Sequence, residues 1–444
     1  MLRFLKSLFI ENKFYGAASV VIGLYFFGFF YPPLVALGHS ALLILIFLLF
    51  GDIYFIFKNK NNISGERTVS DRLSNGDVNN VEIEITNRSG KVLFLTVYDE
   101  LPHQFQRRDI VFKLMLNPCN SEKIVYHLVP RQRGIYDFGN INVFVKSKLG
   151  FVAKRERVDV KKEVKVYPSY LMLKKFEFYA IHNHLQEYGI KKVQKIGHNL
   201  EFEQIKDYVQ GDDYRTLNWQ ASARSSSLMV NVYQDEKSQQ VYNVIDKGRV
   251  MKMPFEGMSL LDYTINSSLV MSGIAVAKQD KAGIATFDTQ FETFLPASRH
   301  SNQMQNILEL LYKQPTKFGE SDFSALYSHL YKRLNQRSLI ILYTNFENQL
   351  GMERQLPFLK QIAKQHVLVC VFFQNTEISE YISEKTRNTE HLYQKVIAEK
   401  FDFEKRIIVK KLNQHGIYTV LTSPKNLTVN VINKYLQLKD RRII

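Results

Sequence analysis

The hydrophobic pattern begins with an apolar run from Phe14 to Phe57, in which His39 and Asp52 are the only strongly polar residues. As a single helix this run would be about 66 Å long, roughly twice the thickness of a hydrocarbon core. Tyr31-Pro32-Pro33 interrupts it near the middle, where proline breaks a helix. The pattern therefore predicts a transmembrane hairpin within residues 1–60, with spans at about 15–33 and 34–57.

A cleaved signal peptide is the alternative interpretation of this region. The apolar run is too long for one, and no small-residue cleavage site precedes the second span. Basic residues flank both ends of the run, whereas the turn between the spans has none; the flanking residues are Arg3, Lys6, Lys13, Lys58 and Lys60. The positive-inside rule therefore predicts a multi-pass protein with both termini in the cytoplasm.

Residues 63–168 alternate apolar and polar positions over short runs that are separated by turn residues. The alternating runs are Val81–Ile85, Val92–Val97, Ile141–Val145 and Val158–Val166. Short strands without a helical period predict a small β-sandwich of immunoglobulin-like type. The segment RGIYDFG at 133–139 is typical of a hairpin corner with Tyr136 and Phe138 buried.

The period changes after a connector, 169–239, in which helical stretches are expected. Strands of the buried type are expected at Val241–Ile245, Ala282–Phe287, Phe291–Leu295, Ser338–Thr344, Val367–Phe373 and Tyr418–Thr422. Helices are expected at Ser259–Lys278, Asn302–Tyr312, Ser324–Leu334, Glu353–Gln365, His391–Asn413 and Leu427–Leu438. This alternation predicts that residues 240–444 form a doubly wound, parallel α/β sheet. Ligands of such sheets bind at the carboxyl ends of the strands, where Asp246 and Asn345 are placed.

Composition narrows the class of protein. With 444 residues, 45% hydrophobic and 13% aromatic, the chain can form two or three domains with real cores. The formal charge of +16 suits an anionic membrane surface or nucleic acid, and the apolar N-terminal run favours the membrane. The two cysteines, Cys119 and Cys370, lie far apart in sequence, so a reducing compartment is expected and zinc is not.

Common catalytic and binding motifs are missing from the sequence. There is no GxxxxGK[ST] phosphate loop, Rossmann glycine fingerprint, HExxH or GxSxG. His182 and His184 are the closest histidine pair, but no acidic partner follows at a helical offset, so they are not expected to bind a metal. Nucleic-acid binding is not expected either, because no aromatic-basic motif is present.

The order of elements in 240–444 resembles a von Willebrand factor A-like domain. That resemblance implies a cation site made of Asp-x-Ser-x-Ser after the first strand, with a Thr and a second Asp from later loops. Here the positions of that site read Asp246, Gly248 and Val250, with Ser321 and Asn345 in the later loops. Two hydroxyls and one carboxylate are lost, and Lys247 and Arg249 add positive charge. We therefore expect a degenerate site with no metal or other cofactor, and at most weak divalent cation binding.

Residues 197–224 combine five acidic residues, two arginines and the single tryptophan. The ordered positions of this signature motif are Tyr208, Gly211, Asp212, Asp213, Arg215, Asn218, Trp219, Ser222, Ala223 and Arg224. Together with the N-terminal spans and RGIYDFG, the motif resembles the bacterial domain-of-unknown-function 58 family over nearly the whole chain. The resemblance implies a protein anchored in the bacterial inner membrane, with a von Willebrand factor A-like domain and a MoxR-type AAA+ ATPase as partner. It implies no enzymatic activity.

Two interpretations of the signature motif are open. In the first it is a polar clasp between the two predicted domains, with Trp219 and Leu217 buried and Asn218 bonded to the backbone. In the second the acidic cluster at 201–213 makes the chain a metal- or carboxylate-dependent enzyme. Adjacent acidic residues beside arginines form ion-paired networks more often than catalytic dyads, so we expect no catalytic residue here. The expected function is that of a cytoplasm-facing interaction or scaffold protein that assists protein assembly or maturation.

Overall fold

The computed structural model describes residues 7–58, 63–107, 110–181, 200–210, 212, 214–225, 227–235, 238–314, 317–383 and 388–444. It divides into two compact units, Met1–Tyr167 and Pro168–Ile444. Both units contain helices and strands, which confirms the mixed α and β class predicted from the sequence.

Two apolar helices follow the short strand β1 (Leu8–Ile10) in the first unit. They are α1 (Asn12–Gly28) and α2 (Pro33–Phe57). The first helix ends five residues before the predicted boundary at 33, because residues 29–32 form the turn. Pro33 then occupies the first turn of α2, where its fixed φ suits a helix and no N–H is needed.

Helix α2 is long and apolar enough to cross a membrane, and only 11% of its apolar window is buried within the structure. One other helix among the described residues, Leu260–Ala277, passes the same test of length and composition. It is 83% buried and forms part of the core of the second unit. Helix α2 therefore supports a membrane association of the chain.

The other strands of the first unit form three sheets. The strands are β2 (Ile63–Val69), β3 (Arg72–Ser74), β4 (Asn79–Asn87), β5 (Leu93–Asp99), β6 (Val111–Leu116), β7 (Ser121–Leu128), β8 (Gly134–Phe138), β9 (Ile141–Lys146), β10 (Val152–Val158) and β11 (Lys162–Tyr167). Their orders are β1-β10-β9-β5-β6, β2-β4-β7 and β3-β11-β8. Tyr136 and Phe138 are buried in the core of these strands, as predicted. The predicted run at Val158–Val166 is instead the end of β10, a three-residue connection and most of β11.

Asp52 attaches the apolar helices to the strands of the first unit. Asp52 lies on α2 and is only 1% exposed. The carboxylate accepts hydrogen bonds from the backbone N–H groups of Phe151 and Val152, each at 3.0 Å, and from the Ser147 hydroxyl. Strand β1 adds backbone pairing with β10. The helices and strands of this unit are thus connected by buried polar contacts as well as by the chain.

The second unit contains the α/β alternation. Its strands are β12 (Leu200–Asp207), β13 (Met229–Asp235), β14 (Gln240–Asp246), β15 (Pro254–Phe255), β16 (Met258–Ser259), β17 (Lys281–Phe287), β18 (Phe291–Ser298), β19 (Leu339–Tyr343), β20 (Val367–Phe373) and β21 (Tyr418–Thr422). Its helices are α3 (Tyr170–Ile181), α4 (Trp219–Ser222), α5 (Leu260–Ala277), α6 (Gln303–Tyr312), α7 (Phe323–Arg333), α8 (Gln349–Gln365), α9 (Thr376–Ser383), α10 (Thr389–Gln414) and α11 (Leu427–Asp440). Short 3-10 turns lie at Tyr214–Thr216, Arg249–Met251 and Pro424–Asn426.

The main sheet has the order β18-β17-β14-β19-β20-β21. Neighbouring strands pair in parallel except at the edge, where β18 is antiparallel to β17. Ile341 and Tyr343 of β19 pack in one hydrophobic core and Ile340 and Leu342 in another, because successive side chains point to opposite faces. Helices thus cover both faces, and each strand predicted for this region lies on an observed one.

Candidate functional site

The first candidate site lies where β14 and β19 end, at the point where the strand order reverses. Asp246 is fully buried there. Its carboxylate accepts hydrogen bonds from Ser321 Oγ at 2.5 Å, from Thr344 Oγ1 at 2.7 Å and from the Gly248 N–H at 2.8 Å. Burial raises the pKa of Asp246, and these three donors oppose that rise because they stabilise the ionised form.

Ser321 occupies the space in which a side chain at position 248 would lie. A Cβ atom built on Gly248 would be 1.9 Å from Ser321 Oγ and 2.9 Å from Asp246 Oδ1. Lys247 is also fully buried and forms an ion pair with Glu292. The hydroxyl beside Asp246 therefore comes from Ser321 on a distant loop and not from position 248.

The structure brings some of the predicted cation-site positions together and separates others. Ser321 contacts Asp246, whereas the Asn345 Oδ1 accepts a hydrogen bond from Lys405 Nζ at 2.9 Å. Val250 packs against the hydrophobic core. Sequence reasoning missed Thr344, although a hydroxyl residue at the end of a predicted strand was the signal for it. Among the described residues, no group of three or more His, Cys, Asp or Glu side chains is placed to hold a metal ion.

The signature motif lies in a hairpin that the sequence analysis did not predict. Strands β12 and β13 pair antiparallel, and the ordered positions of the motif, from Tyr208 to Arg224, lie between them in the sequence. Asp212 accepts a hydrogen bond from the Val209 N–H at 3.0 Å and forms an ion pair with Lys206 at 3.0 Å. The Val209 N–H, followed by Lys206, lowers the pKa of Asp212. Asp212 is thus an ionised turn residue under ordinary conditions.

Asn218 and Ser222 position the short helix α4 against β13. Asn218 caps the helix by accepting a hydrogen bond from the Ala221 N–H at 2.9 Å, and its amide donates to Asn231 at 2.8 Å. The Ser222 hydroxyl accepts from the Met229 N–H at 2.8 Å. The predicted bonding of Asn218 to the backbone is confirmed.

The expected burial of Trp219 is wrong. Trp219 is 71% exposed, and Tyr214, Val209 and Leu228 are also exposed large apolar residues of this hairpin. Leu217 is half-buried. A helix of four residues offers one small face to β13, and Asn218 and Ser222 already use it, so the indole is left on the outside.

The remaining members of the acidic cluster give no shared site among the described residues. Asp207 accepts a hydrogen bond from the Ser227 hydroxyl at 2.6 Å. Arg224 and Ala223 continue the chain after α4, and Tyr208 pairs through its N–H with the Leu228 carbonyl at 2.8 Å. The other predicted residues, or their side chains, lie outside the described part of the chain: Glu201, Glu203, Gly211, Asp213, Arg215, His182 and His184.

A cavity of about 180 Å³ lies at the carboxyl ends of β19, β20 and β21. Its apolar lining residues are Met253, Pro254, Phe255, Leu260, Phe373, Ile378, Phe401 and Pro424. Its polar lining residues are Asn345, Glu347, Gln374, Asn375, Glu377, Asp402 and Lys405. Sequence reasoning placed a ligand site at this edge of the sheet but named only Asn345 among these residues.

Lys405 is the cation of this cavity. Its ammonium donates hydrogen bonds to Asn345 Oδ1 and to the Phe346 carbonyl. Burial lowers the pKa of Lys405 to about 8, and the Glu347 carboxylate opposes this decrease. Asp402 accepts a hydrogen bond from the Gln374 amide at 3.0 Å and pairs with Arg406 at 2.8 Å. The cavity thus combines an apolar interior with an ionised rim.

Comparison with known proteins supports the family resemblance. Residues 204–378 match the family described as "Protein of unknown function DUF58". The chain is 24% identical over 210 residues to the "Uncharacterized protein YeaD" of Bacillus subtilis, a stretch covering 46% of this chain and 50% of that protein. The chain therefore spans about half the length of this curated relative.

Solved structures resemble the chain only remotely. The CARDB domain of the PF1109 protein from Pyrococcus furiosus matches 23% of this chain and 86% of its own, at 16% identity and a TM-score of 0.18. Proximal thread matrix protein 1 from the mussel byssus matches 46% of this chain and 48% of its own, at 10% identity and a TM-score of 0.27.

Proposed function

We propose, starting from the DUF58 match over residues 204–378, that this chain is a non-enzymatic interaction protein anchored in the bacterial inner membrane. The observation that carries the proposal is the exposure of Trp219 at the centre of the signature motif. Tryptophan is enriched among the residues that anchor protein interfaces, whereas catalytic groups are gathered in clefts. The motif therefore offers a surface for a partner.

The membrane part of the proposal rests on helices α1 and α2. They act as a transmembrane hairpin, with helix α2 long enough to span the bilayer. The basic residues at both ends of the apolar run support an orientation with both termini in the cytoplasm. In this arrangement both the immunoglobulin-like strands of the first unit and the α/β unit face the cytoplasm.

The partner that we propose is a MoxR-type AAA+ ATPase, which the family resemblance implies. The second unit would act as a von Willebrand factor A-like domain that holds this ATPase or its client near the membrane during protein assembly or maturation. The donors around Asp246 support a function without a resident cation, because hydroxyl and N–H groups of the protein already use its carboxylate oxygens.

The alternative is an enzyme that uses the acidic cluster at 201–213. Asp207 and Asp212 do not favour it, because each makes its own contact within the hairpin. A lowered pKa also makes Asp212 a poor proton donor near neutral pH. Asp212→Asn should therefore weaken the hairpin turn and lower the melting temperature. If the acidic cluster were catalytic, the same variant would keep its melting temperature and lose an activity.

The proposed function is tested by chemical cross-linking in membranes, followed by solubilisation and affinity purification of the full-length chain. Membranes from cells without the chain serve as the control. We expect a MoxR-type AAA+ ATPase to be enriched among the cross-linked proteins. Recovery of the chain without any ATPase of that class would contradict the proposal.

A further inference from the structure

The cavity beside Lys405 has the size of one large apolar side chain. A cavity of about 150 Å³ in another protein binds benzene, and the cavity here measures about 180 Å³. Phe255, Leu260 and Phe373 are buried and form its inner wall. Phe401 and Ile378 line it from the two helices α10 and α9. The interior is therefore suited to a Leu, Met or Phe side chain.

A row of exposed apolar residues leads along α10 to this cavity. Tyr393, Ile397 and Phe401 are spaced four residues apart, so they lie on one side of the helix over about 12 Å. Phe401 belongs both to the row and to the cavity lining. The continuous apolar surface is longer than a ligand confined to the cavity could cover, which favours a segment of a protein.

The charges at the cavity select the chemistry of that segment. The carboxylates of Glu347, Glu377 and Asp402 line it against the single ammonium of Lys405. Lys405 is bonded to two oxygens of its own protein, and Asp402 is paired with Arg406. Glu347 and Glu377 are exposed at the opening. This acidic rim attracts a cationic group on the incoming segment.

A lipid surface suits the same residues less well. Residues 389–406, which carry the apolar row, contain four acidic and four basic residues. An anionic membrane would gain no net attraction from this part of the helix, and it would meet the carboxylates of the rim.

We propose that the cavity and the row Tyr393-Ile397-Phe401 bind a basic amphipathic segment of a partner protein. One large apolar side chain of the segment enters the cavity, and a lysine or arginine beside it pairs with Glu347 and Glu377. This inference rests on the proposed function, because it takes a protein partner as the occupant, and it names the chemistry of that partner's docking segment.

The test uses the full-length chain in lipid nanodiscs and a fluorescent helical peptide with leucine at every fourth position and lysines on its flanks. The matched probe replaces each lysine by glutamate. We expect fluorescence anisotropy to show that the lysine peptide binds at least about tenfold more tightly than the glutamate peptide. Equal affinities for the two peptides would overturn the proposal.

Two variants locate the binding. Phe401→Ala should weaken binding of the lysine peptide about fivefold or more, and Ile378→Trp, which fills the cavity, should have the same effect. Phe403→Ala is the control: Phe403 is 62% exposed, Phe401 48%, and the two lie about 200° apart around α10. If Phe403→Ala weakened peptide binding as much as Phe401→Ala, the proposed site would be contradicted.

A photoreactive benzophenone side chain at position 397 distinguishes the protein partner from lipid. It should cross-link to the lysine peptide, and cross-linking to the lipid of the nanodisc in its place would overturn the proposal. Peptide binding without any ATPase in the membrane pull-down would instead contradict the proposed function and leave the docking site standing.

Discussion

At the residue scale, the Ser321 hydroxyl and a side chain at position 248 would compete for the same space beside the carboxylate of Asp246. The Ser321 hydroxyl lies where a Cβ on residue 248 would be, and it donates a hydrogen bond to Asp246. A serine at 248 would need Ser321 to move. The glycine at position 248 and the approach of Ser321 to Asp246 therefore belong to one arrangement.

This arrangement predicts that Gly248→Ala lowers the free energy of unfolding by about 1–3 kcal/mol, as overpacking does in a buried site. In the double variant with Ser321→Ala, the loss should be smaller than the sum of the two single losses, because the second substitution removes the clash. Thermal unfolding of the three variants in detergent measures both effects. Strictly additive losses would show that the two residues do not compete.

The lowered pKa of Lys405 predicts that the stability of the folded chain changes with pH in the alkaline range. Its pKa is about 8 in the folded chain, against about 10.4 for lysine in an unfolded chain. Between these values the unfolded chain holds a proton that the folded chain has released, so folding becomes more favourable as pH rises. The melting temperature of the wild type should therefore rise relative to Lys405→Met from about pH 8 to about pH 10. Parallel curves for the two proteins would contradict the lowered pKa.

At the element scale, periodicity predicted the main sheet but not the hairpin of the signature motif. The strands of the main sheet are buried on both faces and read as continuous apolar runs between helices, which sequence shows directly. In β12 the alternation Leu200-Glu201-Phe202 is broken by a shift in register between Phe202 and Gln204. Such a bulge hides the two-residue period on which the recognition of a strand depends.

The candidate sites depended on contacts between distant segments. Asp246 and Ser321 were named from the resemblance to a cation-binding motif. Thr344, which contacts Asp246, lies 98 positions away from it along the chain, and Lys405, which contacts Asn345, lies 60 positions away. The cavity is lined from five separate segments of the chain. Its lining cannot be read from local pattern, because the pattern reports which face of an element is buried and not which elements meet.

Asp52 on α2 gives a prediction for the attachment of the apolar helices. Asp52→Ala leaves two backbone N–H groups and the Ser147 hydroxyl without their acceptor, which should lower stability by about 2–4 kcal/mol. Gly51→Ala is the matched control, because a Cβ at Gly51 meets nothing within 4 Å. Thermal unfolding in detergent compares them. Equal melting temperatures for the two variants would mean that the Asp52 contacts do not stabilise the unit.

At the scale of the whole molecule, the native cysteines test the proposed orientation. Cys119 is exposed in the first unit, whereas Cys370 is buried in β20, where burial raises the pKa of its thiol. A membrane-impermeant maleimide should leave the protein unlabelled in intact cells and label Cys119 in inside-out vesicles. The variant Cys119→Ser should abolish this labelling. Labelling of Cys119 in intact cells would place the first unit on the other side of the membrane.

At this scale, the proposed function assigns the membrane anchor to the first unit and partner binding to the second unit, whose signature motif keeps its tryptophan in solvent. We therefore expect Trp219 to matter for binding and to contribute little to folding, because its ring is mostly exposed. Leu350, on α8, is 72% exposed and offers a control of equal exposure.

The most direct test measures retention of the MoxR-type ATPase on the immobilised full-length chain, together with the melting temperature. Trp219→Ala should reduce retention about tenfold or more with an unchanged melting temperature, while Leu350→Ala should retain the ATPase at the wild-type level. Full retention by Trp219→Ala, or a fall in its melting temperature large enough to explain the loss, would contradict the claim that the signature motif is a binding surface.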